Sequence, residues 1–161
     1  MFRFKLIAAM NVILFIFGIT MVNYAVAGEK YKGHGASTTV KWEQIEVGDE
    51  EGHVIALTQS KQIYFNESTG EKTTSLSIGL MDFNIKKEMG LGHGYGISTS
   101  RDGDKRIRTW EGKSVEKGHM KGTYSYIMGT GKYEGIKGGG NWEAFSLGSG
   151  QSYLEVEGET E

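Results

Sequence analysis

Between Gly90 and Ile97 every second residue is glycine: Gly90-Leu91-Gly92-His93-Gly94-Tyr95-Gly96-Ile97. A helix would scatter those glycines round its surface and lose stability at each one. A strand places them all on one side. The stretch therefore predicts a sheet with one wall almost bare of side chains. Such a wall can receive a large neighbour lying flat, for which Trp42, Trp110 and Trp142 are the candidates, or it can widen an internal cavity; packing is the expected use. The chain has 25 glycines and no proline. Its turns must then take their bends from glycine at positive φ.

Period-two alternation continues along the chain, with no sustained helical period after residue 27. Val40, Trp42, Ile45 and Val47 mark one strand, with a phase slip that predicts a bulge. Ile55, Leu57, Ile63 and Phe65 share a face within 53–66. Within 73–85, Leu76, Ile78 and Leu80 share one face and Met81, Phe83 and Ile85 the other. Arg106, Arg108 and Trp110 alternate with Ile107 and Thr109. Met120, Gly122, Tyr124, Tyr126 and Met128 form the clearest stripe, followed by strands over 133–147 and 152–157. Turn chemistry separates these runs at Gly48–Gly52, Asn66–Gly70, Asp102-Gly103 and Gly148–Gly150. About eight antiparallel strands with short connections predict an all-β fold, an up-and-down β-barrel closed to remove its edges.

Residues 1–27 stand apart. Arg3 and Lys5 precede an apolar run from Leu6 to Val22, and Ala25-Val26-Ala27 supplies a cleavage site. This is the pattern of a secretory signal helix, the alternative being an uncleaved membrane anchor; cleavage leaves 28–161 as a single domain exported to a bacterial periplasm or exterior with no stable membrane span. The chain has no cysteine, which removes thiolate chemistry and disulfides, and 28–161 is long enough to fold without them. Without Arg3 and Lys5, 16 basic residues face 20 acidic ones. A nucleic-acid partner would call for a basic excess, so none is expected. The alternating Glu155, Glu157, Glu159 and Glu161 read as the solvent side of a fraying last strand.

Site motifs are few. His34, His53, His93 and His119 lack metal-ligand spacing, and Lys105, Arg106 and Arg108 repel a cation from Asp102-Gly103-Asp104. The stretch around Gly131-Lys132 fits neither a phosphate loop nor a dinucleotide fingerprint. No metal or cofactor is expected. No serine sits in an elbow, and Asn66-Glu67-Ser68 reads as a loop.

Gly129-Thr130-Gly131-Lys132-Tyr133-Glu134-Gly135-Ile136-Lys137-Gly138, followed by Gly140-Asn141-Trp142, resembles a stretch shared by the allene oxide cyclase and dirigent superfamily, including its bacterial exported members. Gly122-Thr123-Tyr124-Ser125-Tyr126 and Asp102-Gly103-Asp104-Lys105 are similar too, so the resemblance covers residues 102–143. It implies an eight-stranded antiparallel barrel with an apolar interior, which in the plant members holds a reactive lipid or phenolic intermediate. Gly129, Gly131, Gly135, Gly138 and Gly140 are its fold signature, expected to form a tight hairpin and a bent strand. Met128 and Lys137 depart from the pattern, and no catalytic residue carries over.

Trp42, Tyr64, His93, Tyr95, Trp110, Tyr124, Tyr126 and Trp142 are the candidate ligand-binding residues, on the expectation that they face inward. The leading expectation is a non-catalytic module that binds a small apolar or amphipathic molecule in or at the mouth of the barrel. One alternative is an isomerase-like or cyclase-like enzyme steering a reactive lipid or phenolic intermediate. The other is a fully packed structural or interaction barrel.

Overall fold

A computed structural model describes residues 28–161; the expected signal segment, 1–27, lies outside the described residues. Eight strands follow one another: β1 (Glu29–Glu46), β2 (His53–Asn66), β3 (Lys72–Asn84), β4 (Met89–Thr99), β5 (Lys105–Glu116), β6 (His119–Gly129), β7 (Gly138–Gly148) and β8 (Gln151–Thr160). Each pairs antiparallel with the next, and β8 returns to β1, so the sheet is a closed up-and-down barrel. Closure pairs every strand on both sides over the body of the wall; Lys41–Glu46 of β1 and Tyr126–Gly129 of β6 run beyond their β8 and β7 partners. The seam runs from Glu29 opposite Thr160 to Thr38 opposite Gln151. β8 is also paired to β7 as far as Thr160 opposite Gly138. The last strand therefore does not fray as the acidic alternation predicted, because both its neighbours hold it.

Bulges set which side chains face in. On β1 the register shifts between Thr39 and Lys41, so Val40 is the extra residue. The expected slip lay further along, between Trp42 and Ile45. The observed one lets Thr39 and Trp42 both line the interior. On β6 the shift falls between Arg108 opposite Tyr126 and Ile107 opposite Met128. Ile127 is the extra residue, and Met128 leaves the inward stripe to stand 53% exposed. The segment 133–147, expected to be one strand, is broken. A 3-10 turn covers Gly131–Tyr133 and β7 begins only at Gly138. Gly131, Gly135 and Gly138 all adopt positive φ, so this is a folded connection over 130–137 rather than a tight hairpin.

The two walls of the barrel are unlike. The inner wall carries small residues: Ser75, Ser77 and Ser98 are buried there, as are Gly92 and Gly96 of β4. The outer wall over β2 to β5 carries an aliphatic ladder, with Leu57 opposite Leu80, Leu76 opposite Ile97, and Ile97 opposite Ile107. Such cross-strand pairs stabilise a sheet even when one side meets water. Leu80 remains 47% exposed. Further round, the outer wall is charged, with Lys121 paired to Glu143 at 3.0 Å and Lys32 to Glu157 at 3.9 Å. The outer wall is thus two-faced rather than a continuous apolar girdle of the kind a bilayer-spanning barrel needs.

Both barrel ends are tied. At one end Asn84, buried at the end of β3, accepts from the amides of Lys86 and Lys87 at 3.0 Å each. Its Nδ2 donates to Glu50 Oε1 at 2.6 Å, which joins the β3–β4 turn to the β1–β2 loop. Beside it His53 lies between Asp49, at 2.6 Å, and Asp82, at 2.8 Å. The hydrogen bond to Asp82, then that to Asp49, raises the imidazole above its usual value of 6.5. The stability from a raised histidine is complete below the unfolded value and is lost as pH rises through the folded one. The melting temperature of the wild type should therefore fall as pH rises above the usual histidine value of 6.5, and His53→Gln should flatten that slope. Equal slopes in the two proteins, read by thermal unfolding over this rise in pH, would show that the clasp contributes nothing.

Candidate functional site

The inner wall encloses a cavity of about 730 Å³. That is within the usual range of small-ligand pockets, about 300–1,000 Å³. The volume follows from the inward residues. An eight-stranded barrel is just wide enough for ordinary side chains to fill it. Here one strand contributes only glycine over 90–96, and its neighbour β3 contributes only threonine, serine and glycine over 73–79.

Aromatic side chains lie flat on glycine at one side of the lumen. A Cβ on Gly79 would stand 2.3 Å from the Trp110 ring, and one on Gly112 would stand 2.3 Å from that of Trp142. The two indoles meet edge to face at 6.0 Å. Trp42 meets Phe83 in the same way at 6.3 Å, and Met81 Sδ rests on Gly92. The expected packing of tryptophan on glycine therefore occurs, but on Gly79, Gly112 and Gly122. Over β4 the bare wall instead receives Met81 and, at Gly96, a guanidinium.

That guanidinium belongs to Arg108, which pairs with Gly96 across β4 and β5. Its Cζ would lie 2.7 Å from a Cβ at Gly96. Nη1 donates to Ser98 Oγ at 2.5 Å. Nη2 donates to Gln62 Oε1 and to Ser75 Oγ, both at 3.2 Å, and reaches Tyr64 Oη at 3.5 Å. Tyr64 Oη donates in turn to Gln62 Oε1 at 3.0 Å. Every one of these acceptors is neutral. Among the described residues no carboxylate lies within 4.0 Å of Arg108. A charge withdrawn from bulk water without a counter-ion is held at a cost of several kcal/mol, reduced here by four neutral partners and by the open lumen.

Arg106, two positions earlier, is differently placed. Nη2 lies 3.4 Å from Thr73 Oγ1 and 4.0 Å from Glu71 Oε2, and the guanidinium covers the Tyr133 ring at 4.6 Å. Its buried Nε has no acceptor, and neither has the buried Nε1 of Trp110. Burial alone would lift the Glu71 carboxyl. The Tyr133 hydroxyl at 2.8 Å, with Lys132 and Arg106 nearby, outweighs burial and holds it below its ordinary value. Glu71 and Tyr133 do not line the cavity. They pin the 130–137 connection to the β2–β3 turn.

Three further phenols stand together. Tyr31 Oη contacts Tyr124 Oη and lies 2.9 Å from Tyr126 Oη. Burial pushes Tyr124 far above the ordinary phenol value, with the Tyr126 phenol adding to it. Burial raises Tyr64 as well. Tyr124 and Tyr64 therefore stay protonated at neutral pH and serve as hydrogen-bonding groups. The one carboxylate in the cavity wall, Glu88, is paired with Lys117 at 3.1 Å in the β3–β4 and β5–β6 turns. His119 is engaged by Glu143 at 2.8 Å. The lumen can bind, orient and donate hydrogen bonds; it presents no free carboxylate base.

Of the sequence candidates, Trp42, Tyr64, Trp110, Tyr124, Tyr126 and Trp142 line the cavity. His93 and Tyr95 do not. Both stand on the outer wall, Tyr95 at 58% exposure, because their strand turns its glycines inward. Sequence reasoning missed Arg108 and its partners Gln62, Ser75 and Ser98. The available signal was phase: Arg108 shares a face with Trp110, opposite the all-glycine wall. Among the described residues no cluster of three metal-ligating side chains exists, and the four histidines lie on different strands. No protein-family model matches the chain, and no curated protein matches it in sequence.

The glycine seats for tryptophan are testable. At Gly122 an added Cβ would stand 2.0 Å from the Glu111 carbonyl and 2.6 Å from the Trp142 ring. Gly122→Ala should lose about 1–3 kcal/mol in denaturant unfolding and shift tryptophan emission. Gly135, at φ +75° with nothing within 4 Å of a Cβ, should lose about 1–2 kcal/mol as alanine through backbone strain alone and leave the emission unchanged. An unaltered emission in Gly122→Ala would contradict the packing described.

Proposed function

We propose that the chain is an exported barrel that binds one small, partly apolar molecule inside its lumen. The observation that carries this reading is the hollow interior: about 730 Å³, walled by tryptophan and methionine in one part and by hydroxyls, amides and two guanidinium groups in another. A wall divided in this way suits an amphipathic molecule, since the apolar part gains by leaving water and the polar part keeps its hydrogen bonds. The reading of a fully packed barrel is not favoured, because a void of this size has room for about two dozen waters at about 30 Å³ each. A cyclase-like or isomerase-like enzyme would be favoured by a carboxylate beside a phenol deep in the cavity. The pair of that kind, Glu71 with Tyr133, belongs to the rim connection instead.

Export rests on the basic start, apolar run and Ala25-Val26-Ala27 of the leader. Kinship with the allene oxide cyclase and dirigent group rests on the 102–143 stretch, because a barrel shape is common to unrelated proteins with unrelated roles.

Titration of the 28–161 chain with medium-chain fatty acids and hydroxycinnamic acids should give a saturable change in tryptophan emission. Trp110→Phe should remove a large part of it, since Trp110 lines the lumen. If no compound of either class alters the emission, the binding reading fails.

A further inference from the structure

We infer that the molecule held in the lumen is a monoanion. Its carboxylate or sulfonate group would lie on Arg108, with its apolar body against Trp110, Trp142 and Met81. This rests on the reading of the lumen as a binding site and adds the charge and polarity of the occupant.

Charge inventory is the first support. The chain as a whole is acidic, with a net charge of −2, yet the lumen holds two guanidinium groups and a single carboxylate at its rim, Glu88, which Lys117 engages. Arg106 has Glu71 at 4.0 Å. Arg108 has only Ser98, Ser75, Gln62 and Tyr64. One positive charge is thus left over. A cationic ligand would be repelled, and a neutral one would leave the guanidinium uncompensated. A dianion such as a phosphate monoester would exceed what a single free charge can neutralise.

Hydrogen-bond inventory is the second, independent support. Arg106 Nε and Trp110 Nε1 have no acceptor but are sealed from the lumen, so the donors that count are those on Arg108 and around it. Ser98, which lines the cavity, accepts from Arg108 and keeps its own O–H free to donate. The wall therefore has donors to spare. An ionised carboxylate or sulfonate accepts only, and complements such a wall. Shape agrees as well. The guanidinium lies over Gly96, where any Cβ would displace it, and its planar fork suits a two-oxygen group.

The inference is tested with two fluorescent probes of one scaffold: 8-anilino-1-naphthalenesulfonate, a monoanion, and N-phenyl-1-naphthylamine, its neutral counterpart. Wild type should bind the sulfonate about tenfold more tightly than the amine, or better. Arg108→Met should weaken the sulfonate by about 30-fold and leave the amine within about twofold. Sensitivity to Arg108 also separates the lumen from adsorption on the aliphatic outer wall. Should Arg108→Met not fold, the wild type still decides: sodium acetate should displace the sulfonate and leave the amine bound. Equal wild-type affinities, equal losses of both probes in Arg108→Met, or equal indifference to acetate would overturn the anion assignment while leaving the lumen a binding site. Failure of both probes to bind wild type would overturn the binding reading itself, and the anion assignment with it.

Discussion

An eight-stranded barrel has little room inside, and whether any of it stays open depends on the size of the inward side chains. In this chain the inward side of β4 is glycine over 90–96, and that of β3 is threonine, serine and glycine over 73–79 before Met81 and Phe83. Further glycines, Gly79, Gly112 and Gly122, extend the bare wall onto β3, β5 and β6. Glycine leaves space for the rings of Trp110 and Trp142 to lie against the wall instead of crossing the barrel. It also leaves space for the guanidinium of Arg108 to lie flat at Gly96. The apolar burial that would normally fill a core is correspondingly small. Val54, Ala56, Met81, Tyr124 and Leu154 are the buried hydrophobic residues among those described. Closure of the sheet, with its ladders of hydrogen bonds and tied turns, takes over much of the work of holding the fold together.

An interior of this kind trades stability for capacity. Small inward side chains bury less apolar surface than leucine or phenylalanine would. An arginine that meets only neutral acceptors adds a further cost. Buried donors without acceptors, at Arg106 and Trp110, point the same way. A sequence under selection for packing alone would have replaced these groups with apolar ones of similar volume. Their concentration within one cavity, away from the salt bridges of the surface, ties the local loss of stability to a single place.

Much of the architecture was legible from period and punctuation. β2 spans the segment 53–66 that alternation marked out, and the glycine turns fall between strands as expected. The facing of the strands was harder. On β3 both sides carry large apolar residues, Leu76, Ile78 and Leu80 against Met81 and Phe83, so hydrophobicity cannot say which side is inside. On β4 the aromatic Tyr95 looked like the inward residue and glycine like the spacer, whereas curvature and the crowding of neighbouring backbone put glycine inside. The register shifts at Val40 and near Ile127 cannot be located from composition, since each depends on how two strands must twist past each other. Arg108 was passed over because arginine on a strand is normally a solvent residue. Its meaning depends on Ser98, Ser75 and Gln62, which lie on three other strands and share no local signal.

The most direct test of the account is a high-resolution crystal structure of the 28–161 chain. The expected result is an open lumen of about 730 Å³, with the Arg108 guanidinium on Gly96 and only neutral protein groups around it. A lumen closed by inward-turned side chains, or a carboxylate of the chain seated on Arg108, would contradict the account at its root.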